Sequence, residues 1–150
     1  MIQRKQSVFL LIAVILSVLG LCMQIGSVSV EGLTVAREYS LWVTDASGGR
    51  HFTTWPLFAV LLLSAALSLY TIFIYKRRLL QARLCLLNTL LLVVWYIIYT
   101  ALSRTIAPDA STFRVALAAV FPAVSIILNV LARKAIIADE KLVRAADRIR

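Results

Sequence analysis

The sequence predicts an all-α membrane protein: a four-transmembrane-helix bundle with a small outer β-hairpin-like loop and a cytoplasmic amphipathic C-terminal helix. Hydrophobic residues make up 61% of the 150 residues, and charged residues only 15%. Ordinary soluble domains contain roughly 25% charged residues, and a soluble chain this short could not bury so much apolar surface. The apolar residues also fall into four long runs, and Lys and Arg concentrate in alternate connections between these runs.

Each apolar run has the length of a membrane span. The runs cover residues 8–25, 56–75, 84–102 and 113–132, and Arg114 is the only charged residue inside them. At about 1.5 Å of rise per residue, such helices cross the ~30 Å of hydrocarbon in a bilayer. We therefore expect a single membrane domain with a periplasmic loop at 26–55 and a cytoplasmic tail at 133–150.

Lys and Arg predict the orientation. Twelve of these 16 residues lie at the N-terminus, between the second and third runs, and in the tail. The other four are Arg37, Arg50, Arg104 and Arg114. The positive-inside rule then places both termini in the cytoplasm. The net charge of +9 is thus read as an orientation signal, and no nucleic-acid partner is expected.

Two segments outside the runs carry secondary-structure signals. In the loop 26–55, Tyr39, Leu41 and Val43 alternate with polar or amphipathic residues before a turn-like stretch at 45–49, which predicts a β-hairpin. In the tail, Ala135, Ala138 and Leu142 begin an apolar repeat at spacings of three and four. This repeat predicts a helix that either extends the fourth span or lies on the inner leaflet. The connection 103–112 is read as a short turn.

Small and polar side chains recur at helical spacing within the runs, so that each set shares one helix face. They are expected to pack between helices, and the alternative is a polar path for a small solute. Asn88 and Asn129 have matched depths, which predicts an amide contact, and Pro122 is expected to kink the fourth helix. The candidate interhelical residues are Ser17, Gln24, Ser64, Ser68, Thr71, Asn88, Ser125 and Asn129.

No catalytic, cofactor or metal site is predicted. Intramembrane hydrolysis needs a nucleophile with a base, paired carboxylates or metal ligands, and the four runs contain no such set. His51 is the only histidine and lies in the outer loop, while Cys22 and Cys85 are expected at opposite membrane faces as unpaired packing residues. A non-enzymatic protein is the expectation.

Basic residues at the inner face are expected to contact anionic lipid. The candidates for this contact are Lys76, Arg77, Arg78, Arg83, Arg133 and Lys134. The expected partners are membrane lipids and either a membrane protein or further copies of this chain. The leading functional hypothesis is an accessory or scaffolding subunit of a membrane complex. A small transporter or channel is the second, and an enzyme acting on lipid or peptide is the third.

Three stretches carry a family resemblance: residues 1–11, 74–84 and 135–150, of which the last is the most specific. In these stretches the chain resembles a small uncharacterised membrane family of Bacteroidetes, domain of unknown function forty-two ninety-three. The resemblance implies a four-helix inner-membrane protein of about this size. It implies no activity, ligand or catalytic residue.

Overall fold

The computed structural model describes residues 3–75, 77–106 and 112–147. Within these ranges the protein is mostly helical, with four α-helices and one small antiparallel sheet. The helices are α1 Gln3–Cys22, α2 Trp55–Phe73, α3 Arg78–Ile106 and α4 Phe121–Asp147. The strands are β1 Gln24–Val30, β2 Leu33–Tyr39, β3 Val43–Asp45, β4 Arg50–His51 and β5 Thr112–Val115. Short 3-10 turns, Phe52–Thr54 and Leu117–Val120, precede α2 and α4.

Three helical segments of the described chain are long and apolar enough to cross a membrane: Phe52–Phe73, Arg78–Ile106 and Leu117–Val143. The apolar part of α1, Gln6–Cys22, is shorter. Large apolar side chains cover the outside of all four helices, an arrangement that suits lipid rather than water as the surrounding medium. Examples are Val8, Leu11, Ile15, Leu63, Leu90, Ile97 and Ile127.

The helices form an antiparallel bundle in which α1 and α3 each pack between α2 and α4. Gly20 allows a close approach of α1 to α2, since a Cβ atom there would lie 3.2 Å from Leu61 Cδ2. One buried apolar cluster, around Leu61, Leu92 and Trp95, lies near the sheet. A second cluster, around Leu10, Cys85 and Ile136, lies at the opposite end. We call the two ends of the bundle the sheet end and the basic end.

The sheet has five strands in the order β4-β3-β2-β1-β5, all antiparallel to their neighbours. The β1–β2 hairpin turns at Glu31 and Gly32, whose φ angles of 50° and 84° are both positive. Two positive φ angles match the twist of flanking strands, although Asn-Gly is the usual sequence for such a turn. Strand β5 comes from the connection between α3 and α4, so the sheet joins both connections at this end.

Hydrogen bonds attach the sheet to the helices. The Ser40 hydroxyl donates to the Gly20 carbonyl oxygen at 2.8 Å, across the end of α1. The Ile25 carbonyl oxygen accepts from the Tyr99 hydroxyl and from the Ala116 backbone N–H, both at 3.0 Å. Because Ile25, Tyr99 and Ala116 belong to three different parts of the chain, these bonds hold β1 against the bundle.

Two predicted apolar runs extend past the ends of their helices. The first predicted run extends to residue 25, but α1 ends at Cys22, and Gln24 and Ile25 belong to β1. The fourth predicted run begins at residue 113, but residues 113–115 pair with β1 and α4 begins at Phe121. Ile25 follows closely on the apolar residues of α1, and Phe113 and Val115 come shortly before those of α4. The amino-acid composition therefore does not mark where either helix begins or ends. Pro122 therefore lies in the first turn of α4, where its missing N–H removes no helical hydrogen bond. The predicted kink at Pro122 is not expected at this position.

The outer loop contains more strand than a single hairpin. The predicted turn at 45–49 is confirmed, because the Gly48 N–H donates to the Asp45 carbonyl oxygen at 2.9 Å and β3 pairs with β4. Strands β1, β2 and β5 were not predicted, so the all-α class is corrected to a mostly helical protein with a sheet. The predicted turn around Pro108 lies outside the described residues.

The tail continues α4 without interruption to Asp147. Of the predicted apolar repeat, Ala138 and Leu142 lie exposed on the outside of the bundle, whereas Ile136 and Asp139 are buried. The face that packs is set by α1, whose Gln6 side-chain amide donates to Asp139 Oδ2 at 2.7 Å. The helix therefore extends the bundle at the basic end.

Candidate functional site

A cluster of polar side chains lies inside the bundle at matched depth on three helices. This polar core consists of Ser64 and Ser68 of α2, Asn88 of α3, and Ser125 and Asn129 of α4. All five side chains are at most 1% exposed. The four-residue spacing within α2 and within α4 places each pair on one face. The sequence pattern thus identifies the residues that α2, α3 and α4 bring together.

Hydrogen bonds connect the amides of the polar core. Asn88 Nδ2 donates to Ser68 Oγ at 2.7 Å and to Asn129 Oδ1 at 3.2 Å. Asn129 Nδ2 in turn donates to the Ser125 carbonyl oxygen at 2.8 Å. The two asparagine side chains are therefore in contact, as their depths predict. Interhelical bonds of this kind contribute about 0.6 kcal/mol each in membrane proteins, so packing supplies most of the stability.

Three oxygens of the polar core have no hydrogen-bond partner within the described part of the chain. They are Ser64 Oγ, Asn88 Oδ1 and Ser125 Oγ. A buried polar group without a partner costs roughly 1–3 kcal/mol. The cluster carries hydroxyl and amide groups, which can bind a polar molecule but do not ionise near neutral pH.

The other three predicted interhelical residues, Ser17, Thr71 and Gln24, lie outside the polar core. Ser17 is buried and its hydroxyl donates to the Ala13 carbonyl oxygen at 2.9 Å. Thr71 is also buried and donates to the Leu67 carbonyl oxygen at 2.6 Å. Both bonds stay within one helix, so these two hydroxyls do not join helices. Gln24 is not an interhelical residue at all, because it lies in β1 and its amide donates to the Gly26 carbonyl oxygen.

Aromatic side chains fill the bundle between the polar core and the sheet. Trp95 stacks on Tyr99 with ring centroids 5.1 Å apart and meets Tyr96 edge to face at 5.0 Å. Tyr99 also contacts Phe113 of β5, at 6.1 Å between centroids. Trp95 is fully buried and is the largest such side chain of the described residues. This aromatic cluster packs against the sheet through Phe113 and Ile25.

Glu38 is a buried carboxylate between the sheet and this aromatic cluster, and no pattern in the sequence singles it out. Its side chain is 1% exposed, and neither carboxylate oxygen has a hydrogen-bond partner in the described ranges. Gly26 of β1 pairs with Glu38 and leaves room for the Glu38 side chain, because Gly26 has no Cβ. A Cβ at Gly26 would lie 3.0 Å from Glu38 Oε2 and 2.6 Å from Phe113 Cζ. Burial raises the pKa of Glu38 from 4.5 to about 7.

His51 is placed at the outer side of the sheet. Its Nε2 lies 2.8 Å from Asp45 Oδ2, and both side chains are largely exposed. Cys22 is exposed near the sheet end and is not the packing residue that was predicted, whereas Cys85 is buried toward the basic end; the two thiols are separated as predicted. Among the described residues, no group of three or more His, Cys, Asp and Glu side chains could hold a metal ion.

The predicted lipid-contact residues gather at the basic end. Arg77 and Arg78 lie at the α2–α3 turn, and Arg83 is exposed one turn further along α3. Arg133 and Lys134 lie on α4, the first partly exposed and the second exposed. Lys76 lies outside the described residues.

A comparison with curated proteins found no match to this chain. The family model described as Domain of unknown function (DUF4293) matches residues 2–149, which is nearly the whole sequence. The match carries no activity, because the family itself is uncharacterised. The chain belongs to the family Domain of unknown function (DUF4293).

Proposed function

We propose that the protein crosses the bacterial inner membrane four times, with its sheet in the periplasm and its basic end in the cytoplasm. The apolar part of α1, Gln6–Cys22, has 17 residues, which corresponds to about 26 Å and lies at the short end of the range for a membrane span. Its exposed side chains include Val8, Leu11 and Ile15, each close to half exposed, as lipid contact requires. The concentration of Lys and Arg at the opposite end from the sheet supports the orientation.

Thiol labelling tests this topology. In a Cys22→Ser background, we expect Leu33→Cys at the outer turn of the sheet to react with a membrane-impermeant maleimide in intact spheroplasts. Leu33 is 76% exposed, so accessibility of the site is not limiting. The matched variant Lys141→Cys, exposed at the basic end, should react only after the membrane is permeabilised. Labelling of Lys141→Cys in intact spheroplasts would contradict the orientation.

We further propose that the protein is a non-enzymatic accessory or scaffolding subunit of a membrane complex, either with another membrane protein or with further copies of itself. The observation that carries this proposal is the sheet that is hydrogen-bonded to the ends of the helices. It gathers both connections at one end of the bundle and presents Leu33 and Val35 on the same side of β2, 76% and 40% exposed. Exposed apolar side chains on an ordered sheet are typical of a contact surface.

The bundle interior supports a structural role as well. The small and polar faces of α2 and α4 are covered by neighbouring helices, and the side chains of Ser68, Asn88 and Asn129 bond to one another. Close packing of small faces is how membrane helices associate. A bundle held together in this way suits a subunit that positions partners.

Co-purification in mild detergent from native membranes tests the scaffold proposal. We expect the wild-type protein to be recovered with a stoichiometric partner, or as a defined oligomer. The variant Leu33→Asp/Val35→Asp should lose most of that partner, because it places charge on the exposed apolar face of β2. The control Leu142→Asp changes an exposed apolar residue at the basic end and should retain it. Repeated recovery of the wild type as a lone monomer would exclude the proposal.

A small transporter or channel is the second candidate. The observation that favours it is the set of three buried oxygens of the polar core that have no partner in the described part of the bundle, Ser64 Oγ, Asn88 Oδ1 and Ser125 Oγ. Such oxygens are available to a passing polar solute. Solute or proton flux into proteoliposomes above that of protein-free vesicles, abolished by Asn88→Leu, would favour this candidate over the scaffold.

A further inference from the structure

Two surface grooves meet at the α2–α3 turn of the basic end. The first has a volume of about 480 Å³ and is lined by Tyr70, Phe73, Ile74, Tyr75, Arg77 and Leu80. The second has a volume of about 560 Å³ and is lined by Arg77, Arg78, Leu79, Leu80, Glu140 and Val143. Arg77 and Leu80 line both grooves, so the two adjoin at these side chains, and we call them together the trough.

The trough changes from apolar to charged along its length. Its first part runs beside the last turns of α2, where Tyr70 and Phe73 are exposed among lipid-facing side chains. Its second part passes Arg77 and Arg78 and ends against α4, whose continuation past the predicted span supplies Glu140 and Val143. The two guanidinium groups outnumber the single carboxylate of the lining.

This shape and charge distribution fit an amphiphile. An acyl chain needs an apolar surface that is continuous with the hydrocarbon, and the Tyr70–Phe73 side of the trough provides it. A phosphate diester needs donors at the level of the headgroups, and arginine presents a planar set of N–H groups that matches phosphate oxygens. The tyrosines at this level are also typical of the membrane interface.

We propose that the trough is a binding site for one anionic phospholipid, with the phosphate at Arg77 and Arg78 and an acyl chain along Phe73 and Leu80. The sequence predicts contact between the basic end and anionic lipid in general, and the proposal assigns one such lipid to one site with known lining residues. The trough lies at the opposite end from the sheet, so this site does not depend on the scaffold proposal or on its partner.

Native mass spectrometry of the full-length protein in detergent tests the site, with phosphatidylglycerol as the probe. We expect one phosphatidylglycerol to be retained in preference to phosphatidylcholine. The variant Arg77→Gln/Arg78→Gln should weaken retention by about 25-fold, because each basic residue at the headgroups contributes roughly a factor of five. The control Arg37→Gln/Arg104→Gln removes the same charge at the sheet end and should bind as the wild type does.

Two further measurements distinguish a bound phospholipid from a bound phosphate compound without acyl chains. Leu80→Asn should weaken phosphatidylglycerol retention, whereas Leu87→Asn, a lipid-facing residue of the same helix outside the trough, should not. Glycerol 3-phosphate, a headgroup without chains, should not displace the lipid at millimolar concentration. Displacement by this compound, equal retention of phosphatidylcholine, or unchanged binding by the arginine variant would overturn the proposal. Should the double variant fail to fold, single Arg77→Gln and the fall of wild-type retention with salt decide the same question.

Discussion

Replacing Glu38 by Gln is expected to remove a pH-dependent loss of stability that reaches about 3 kcal/mol above neutral pH. The carboxyl group has a pKa of about 7 in the folded protein and 4.5 when exposed. Each unit of pKa difference corresponds to about 1.4 kcal/mol. Since the folded pKa is the higher one, the folded protein binds the proton more tightly than the unfolded chain does. Stability is therefore unaffected at low pH, falls between about pH 4.5 and 7, and stays low at higher pH.

The effect is large because nothing in the described structure compensates the charge. The Glu38 oxygens have no hydrogen-bond donor there, and the neighbouring Phe113 ring and Gly26 backbone offer little solvation. The ionised form must either remain buried without a partner or open the contact between sheet and bundle. Gln keeps nearly the same shape and carries no charge at any pH.

Thermal unfolding in detergent between about pH 5 and 9 measures the difference, and pulse proteolysis of the sheet reports on the same contact. The wild-type curve should fall with pH, and the Glu38→Gln curve should be much flatter. Glu31→Gln, at the exposed β1–β2 turn, is the matched control and should keep the wild-type slope. Parallel curves for the wild type and Glu38→Gln would show that the Glu38 carboxyl group does not titrate in this range.

Replacing Trp95 by Ala is expected to destabilise the protein by about 3–5 kcal/mol, the cost of deleting a large buried aromatic side chain. Trp95 is fully buried, stacks on Tyr99 and contacts Tyr96. The substitution leaves a cavity directly beneath the sheet, and surrounding helices can close only part of it. Tyr99, which donates to the Ile25 carbonyl oxygen, would lose its stacking partner.

Chemical denaturation monitored by tyrosine and tryptophan fluorescence measures this loss, with circular dichroism to confirm that the helices remain. Trp55→Ala is the control, because Trp55 is 60% exposed at the start of α2 and leaves no cavity when shortened. The substitution Trp95→Phe keeps an aromatic ring in the cluster and should cost less stability than Trp95→Ala. A stability change for Trp95→Ala as small as that for Trp55→Ala would mean that the aromatic cluster does not support the sheet.

The helical part of the fold was predictable because its signals are local. An uninterrupted apolar run with Pro in its first turn identifies α2 within two residues at each end. The four-residue spacing of Ser64 with Ser68 and of Ser125 with Asn129 identifies buried faces, because a helix maps sequence spacing directly onto a surface. The Asn88–Asn129 contact follows from depth alone once both spans are placed.

The sheet was mostly unpredictable because its signals are non-local. Strand β1 is separated from α1 by one residue, and Gly26, Ser27 and Ser29 leave it no continuous set of β-branched or aromatic side chains. It becomes a strand because β2 and β5 pair with its two edges, and β5 lies more than 80 residues further along the chain. The burial of Glu38 depends on that pairing and on Gly26 opposite it, so no local pattern around Glu38 reveals it.

The pairing of β1 with β5 also has a consequence for the order of assembly. Because β5 follows α3, the sheet remains one strand short until three helices have been synthesised and inserted. Contacts that join distant parts of a chain form late, after the cost of closing the intervening loop has been met. During synthesis the β1–β4 meander can form early, and its open edge is then a site where a chaperone or a second nascent chain could add a strand. Pairing of β5 would coincide with the entry of α4 and cover this edge of β1, which leaves the shorter, four-residue β5 as the outer strand.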